Sequence, residues 1–328
     1  MVRFTVLASG SKGNSTVVSG GRTRILVDAG LSCRELFRRM RAVGEEPERL
    51  DAIIVTHEHQ DHVSGLSVTA RKLGIPVYFT EATYSAWKRW ITPHHKMSYA
   101  EWREQGRKQA AERQAEAVEA EDADPEEREA EGTLAAVEAA AQEAMAQETA
   151  VKPAPHKADP SWLPAVEHFQ PGKPFTIGDI SVSPFTTPHD AVDPVGFVLG
   201  AEGIRIGYAT DLGYIPPNVR EQLRELNLLL IESNHDLEML RDGPYPWSIK
   251  QRVLSRVGHL SNDATAEFLS TVYDGRASYI ILGHISENNN LPELVRVSAE
   301  RALSARPSLV TDHLLLARQR EPLSSICF

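Results

Sequence analysis

Cysteine is almost missing from this chain of 328 residues: Cys33 and Cys327, one near each end, are the only two. So few exclude a disulfide framework or a cysteine-built zinc cluster, and they suit a reducing compartment. No run approaches the roughly 18 apolar residues of a membrane span. The opening MVRFTVLASGSKGNS has no basic stretch ahead of an apolar run of about 7–15 residues, so it does not read as a secretory leader. A soluble, cytoplasmic protein with no membrane partner is expected. A G-x-S-x-G elbow and a Gly-rich nucleotide fingerprint are also lacking, which removes support for serine-hydrolase or dinucleotide chemistry. What is present, 41% hydrophobic residues, suffices to bury the core of one large α/β domain or two modest ones.

The formal net charge of −10 would repel phosphate if it were spread evenly. It is concentrated instead: residues 101–150 hold 15 acids against 5 bases, leaving 30 of each elsewhere. Charge therefore does not exclude a nucleic-acid partner. From about 94 to 168, Ala, Glu and Gln dominate and large apolar residues are sparse. This stretch is expected to be an acidic insertion into a single domain spanning 1–328, forming solvated helices or disorder rather than core. A partner-binding arm is the alternative.

Around it, apolar β-rich stretches alternate with polar turns. Phe4–Ala8 and Arg24–Val27 open a meander, Ser32–Val43 has helical period, and DAIIVT (Asp51–Thr56) reads as a buried strand. His62–Leu73 is expected to be a short helix and Pro76–Thr80 a strand. After Pro171 come PFTIGDISVSPFTT, GFVLGAEGIRIGYATD, LNLLLIES and ASYIILGH, with helices over Lys250–Val257 and Ala264–Val272, then a helix from Pro292 and the strand-like HLLLA. Two strand-rich halves with helices outside both predict a four-layer αβ/βα sandwich.

The richest segment is His57-Glu58-His59-Gln60-Asp61-His62, directly after the DAIIVT strand. Imidazole and carboxylate without cysteine suit zinc, manganese or iron in a site with open positions. His189 in TTPHDAVDP, Asp211 in GYATDLG and His284 in YIILGHISENN each end an apolar strand downstream. This ordered set resembles the metallo-β-lactamase superfamily. The resemblance implies one metal on His57, His59 and His189, a second on Asp61, His62 and His284, Asp211 between them, and Asp28 in ILVDAG as the buried brace of the histidine loop. Two such cations, Zn²⁺ or Mn²⁺, about 3.5–4 Å apart can share a hydroxide nucleophile and lower the pKa of water to roughly 7, which makes hydrolysis the natural reaction.

Finer motifs narrow the substrate. LASGSKGNS, ILVDAGLSCREL, HDAVDPVGF, YATDLG, IESNHDLEML, GPYPWSIKQRV, GHLSN and ILGHISENNN are similar to a group of bacterial proteins of this superfamily, the YycJ/WalJ-like ones. That likeness implies an exonuclease directed at DNA in preference to RNA; the acidic insertion is where the sequence departs from the group. A small-molecule phosphodiester or thioester hydrolase, an RNA-processing nuclease and a binding module are the alternatives. The loop Ser9–Ser15 places Ser11, Lys12 and Asn14 as substrate contacts able to meet phosphate, or is simply a hairpin turn. Arg34, Arg38, Arg39 and Arg41, and later Lys250, Arg252 and Arg256, read as solvated helix faces or as phosphate-tracking clusters. Glu232 in LLIES and His259 in GHLSN resemble, in order, the Glu and His pair of the tRNA-processing enzyme RNase Z. They are the expected leaving-group acid and its partner, with Asp61 and Asp211 completing the catalytic set. A backbone-bonded histidine is the plain alternative for His259. His235 in SNHD is the rival for its role and a candidate substrate contact.

Overall fold

The computed structural model describes residues 1–92, 159–304 and 313–328. Of the expected insertion, residues 94–158 lie outside the described residues. Two mixed sheets of seven strands each form the frame. The first contains β1 (Arg3–Ala8), β2 (Ser15–Ser19), β3 (Arg24–Val27), β4 (Ala52–Ile54), β5 (Val77–Thr80) and β6 (Val166–Phe169) in that spatial order. The last strand, β14 (Ile326–Cys327), returns to pair with β1. The second sheet runs β7 (Phe175–Ile177), β8 (Ile180–Thr186), β9 (Val195–Ala201), β10 (Ile204–Ala209), β11 (Leu228–Glu232), β12 (Tyr279–Gly283) and β13 (Leu314–Leu316).

Both sheets are built alike. Consecutive strands pair antiparallel across β1–β3 and across β7–β10. The later neighbours are parallel, from β3 to β6 and from β10 to β13. Most parallel steps are crossed by helices, because a parallel return needs a long connection. Alternation along each strand then sets the layers. On β3, Ile25 and Val27 enter the core between the sheets, where Phe197, Tyr208 and Leu230 also lie, while Leu26 faces outward. The outward faces are covered by Cys33–Ala42, Leu66–Leu73 and Glu81–Ile91 on one side, and by Asn262–Thr271 and Pro292–Ala302 on the other. This is the four-layer αβ/βα sandwich expected from the sequence.

The boundaries differ in instructive places. The helix expected over His62–Leu73 is two, Gln60–Val63 and Leu66–Leu73. Gly65 stands between them at a close approach, where a Cβ would lie 1.9 Å from the Leu31 carbonyl oxygen. The helix expected over Lys250–Val257 is Trp247–Val253, so Arg256 lies beyond its end. Val166–Phe169, inside the stretch read as insertion, forms an edge strand against β5. Among the described residues no helix is long and apolar enough to cross a membrane.

Candidate metal centre

Every expected ligand leaves the end of a strand on the same edge of the sandwich. β4 releases the chain into His57–His62, β8 leads to His189, β10 to Asp211 and β12 to His284. Three sets of donor atoms gather within 4.8 Å of one another: His57, His59 and His189; Asp61, His62 and His284; and His57, His62 and Asp211. Asp211 spans the first two sets. Its Oδ2 is 3.3 Å from His62 Nε2 and its Oδ1 is 3.8 Å from His189 Nε2. His284 Nε2 stands 3.5 Å from Asp61 Oδ2, and His189 Nε2 is 3.2 Å from His59 Nδ1.

Behind the donors, a second set of bonds fixes which nitrogen faces inward. Asp28, fully buried, puts Oδ2 2.8 Å from His62 Nδ1 and accepts from the Thr56 amide at 2.8 Å. His284 Nδ1 lies 2.7 Å from Glu232 Oε1, and His189 Nδ1 is 3.1 Å from the Gly258 carbonyl oxygen. In each case the Nδ1 proton goes outward and Nε2 is left for the centre, the arrangement by which metal-binding imidazoles are oriented. Cations fit this centre on two counts. His57 Nε2 and Asp211 Oδ2 are buried with no hydrogen-bond partner among the described residues, a state that is costly unless something else satisfies them. The donor chemistry, imidazole with carboxylate, is that of divalent transition metals.

The sequence pattern of the metallo-beta-lactamase superfamily matches residues 8–284. The chain belongs to that superfamily. It is 30% identical over 302 residues to a protein named exodeoxyribonuclease WalJ from Streptococcus pneumoniae serotype 2, covering 92% of this chain and 88% of that one. It is also 30% identical over 305 residues to exodeoxyribonuclease YycJ of Bacillus anthracis, covering 93% and 90%. Among solved structures, the metallo-beta-lactamase fold protein YhfI of Bacillus subtilis aligns with a TM-score of 0.58 at 13% identity, over 98% of this chain and 99% of that one. The short form of human tRNase Z aligns at 0.52 and 14%, over 98% of each chain. At such identities the structural likeness concerns the fold alone.

In the metallo-beta-lactamase centre of this chain, electrostatics follow from packing carboxylates among imidazoles. Burial alone would lower His62, but Asp211, Asp28 and Asp61 overcome it and push its pKa up to about 9. Burial would raise Asp61, and the charges of His62 and His284 leave it below the ordinary carboxylate range. A proton held on His62 must leave when a cation binds, so metal uptake should improve as pH rises.

The remaining candidates separate by position. Glu232, fully buried, places Oε1 2.8 Å from His259 Nδ1, while its Oε2 accepts from the Leu212 amide at 2.7 Å. Asp211, Glu232, His259 and His284 could also gather round a cation, but the bonds on both Glu232 oxygens make it a positioning group. Ser11, Asp61, Asp211 and His259 line one cavity of about 290 Å³. Lys12 is exposed and ion-paired with Glu287. Asn14 is buried against the ligand loop: its amide nitrogen is 3.2 Å from Asp61 Oδ2 and its backbone N–H donates to the Asp61 carbonyl at 2.7 Å. His235 is buried, with neither ring nitrogen partnered among the described residues, and burial lowers its pKa to about 4.

Both arginine clusters are largely engaged within the protein. Arg39 is buried and donates to the Leu7 and Gln319 carbonyls, Arg38 pairs with Glu35, and Arg41 pairs with Glu48. Lys250 donates to the Arg241 carbonyl and Arg256 lies over the Tyr214 ring. Asp190, directly after His189 and 3.4 Å from its Nε2, was not singled out from sequence. Its place beside a ligand in TTPHDAVDP was the available signal.

Proposed function

We propose that this chain is a binuclear metal-dependent phosphodiester hydrolase acting as an exonuclease on DNA in the cytoplasm. The observation that carries the reading is the pair of three-residue donor sets joined by Asp211, with His259, bonded to the buried Glu232, on the wall of the same cavity. The relatives named exodeoxyribonuclease support DNA as substrate. His57, His59 and His189 would hold one ion, Asp61, His62 and His284 the other, and Asp211 both, Zn²⁺ or Mn²⁺ being suited to the donors. Bound there, the two ions supply a nucleophile active near neutral pH and neutralise charge on phosphate.

The protein's own groups do the rest. Glu232 holds the His259 Nδ1 proton and orients the ring, so that Nε2 is placed to deliver a proton to the departing oxygen. Ser11 lines the cavity and would meet the substrate there, while buried Asn14 braces the Asp61 loop from behind.

The test is to load purified protein with Mn²⁺ or Zn²⁺ and present labelled DNA, labelled RNA and bis-p-nitrophenyl phosphate. DNA should be degraded from an end. Asp61→Ala and His59→Ala should lose hydrolysis and metal content while the circular dichroism spectrum stays folded. Two equivalents of metal in a fully active Asp61→Ala protein would refute the ligand assignment. Hydrolysis of bis-p-nitrophenyl phosphate alone would point to the small-molecule reading.

A further inference from the structure

The cavity over the ligands is lined by histidines and by the carboxylates of Asp61, Asp190 and Asp211, and among the described residues by a single Lys or Arg side chain, that of Arg252. Arg252 sits on Trp247–Val253, a helix with no buried residue, so it serves no core. Its side chain is about half exposed, at 55%, which places it at the rim while the ligands form the floor. Its Nε is bonded to Asp190 Oδ2. Asp190 in turn adjoins the ligand His189, so the guanidinium is fixed relative to the centre. Its two terminal nitrogens make no bond to a described residue, and that fork is the part of arginine matched to phosphate oxygens. One turn earlier on the same helix face, Ile249 lines the cavity as an apolar neighbour, suited to a sugar or base edge beside the phosphate.

We propose that Arg252 is a specificity-determining residue: held by Asp190, it grips the phosphate next to the one being cut, and so favours a polynucleotide over an isolated phosphodiester. The scissile phosphate belongs on the floor with the ligands, and the strand leaving it must pass the rim, where Arg252 is the cation available to meet it. This rests on the phosphodiesterase reading above and adds a substrate preference to it.

The experiment compares full-length metal-loaded wild type, Arg252→Ala and Arg252→Lys on a single-stranded oligodeoxynucleotide and on bis-p-nitrophenyl phosphate, across a salt series. In Arg252→Ala, KM for the oligonucleotide should rise roughly tenfold or more, as expected for one charge-assisted bond. That loss should exceed any loss on the small diester. The slope of log(1/KM) against log salt should become shallower by about 0.7, the contribution of one phosphate contact on a single strand. Arg252→Lys should restore the slope but only part of the affinity, since it keeps the charge without the fork. An unchanged KM and slope in Arg252→Ala, or equal losses on both substrates, would overturn the assignment while leaving the hydrolase reading intact. Wild type that cleaves only the small diester would overturn both.

Discussion

Three residues of the centre, Asp28, Asp211 and His284, have φ values of 58°, 61° and 53°. For residues other than glycine this left-handed conformation costs roughly 1–3 kcal/mol each and persists where function holds it. Each lies immediately or almost immediately beyond the end of a strand, where the sharp turn directs the side chain into the centre instead of letting the strand continue. The sequence showed these residues as polar ends of apolar runs, which is why the ligand set was legible. The turn conformation was not, since nothing in the residue type demands it. His259 was legible only as half of an ordered pair, and its 2.8 Å contact with Glu232 supplies the geometry. If it protonates the leaving oxygen, His259→Ala should keep both metals and lose about a hundredfold in turnover on DNA. A substrate that expels p-nitrophenolate, which needs no proton, should lose far less. Steady-state rates on the two substrates decide this, and equal losses would make His259 a structural residue.

At the scale of elements, sequence legibility followed burial. Strands buried on both faces, such as β11 and β12, announced themselves as apolar runs. β6 did not, because Glu167 and His168 are exposed at an edge strand and no alternation shows. The helix Cys33–Ala42 was legible from its period, and the structure adds the cap, the Ser32 hydroxyl accepting from the Glu35 amide, but its arginines had two readings. The structure engages three of them internally, and Glu35 is the hub. Hydrogen bonding from Arg38, with added bonding from Arg39, lowers its carboxyl from 4.5 to about 2. A lowered folded value means this contribution to stability is complete above about pH 4.5 and is lost as pH falls toward 2, by linkage. Urea midpoints of wild type and Glu35→Gln should therefore differ near neutral pH and converge as the medium is acidified through that window. A constant difference across it would show that the carboxylate charge is not what the helix uses.

For the whole molecule, the centre exists only where the two halves of the sandwich meet. The first half carries His57, His59, Asp61 and His62, and the second carries His189, Asp211 and His284, so packing of the sheets and assembly of the donor sets are one event. Both donor sets are made up of residues outside the acidic segment, which falls in the sequence between Glu81–Ile91 and β6, the edge strand of its sheet. Its effect should therefore be electrostatic. Deletion of residues 101–150 removes a net charge of −10 and should leave metal content and hydrolysis of bis-p-nitrophenyl phosphate in place. KM for an oligodeoxynucleotide should fall at low salt, because repulsion between this segment and phosphate is removed. The gain should fade with added salt, as the Debye length contracts from about 30 Å at 0.01 M to about 8 Å at physiological ionic strength. Kinetics of both proteins across that range provide the measurement. A gain independent of salt would mean that the segment blocks the substrate sterically, and loss of folding on deletion would mean that it packs against the sandwich.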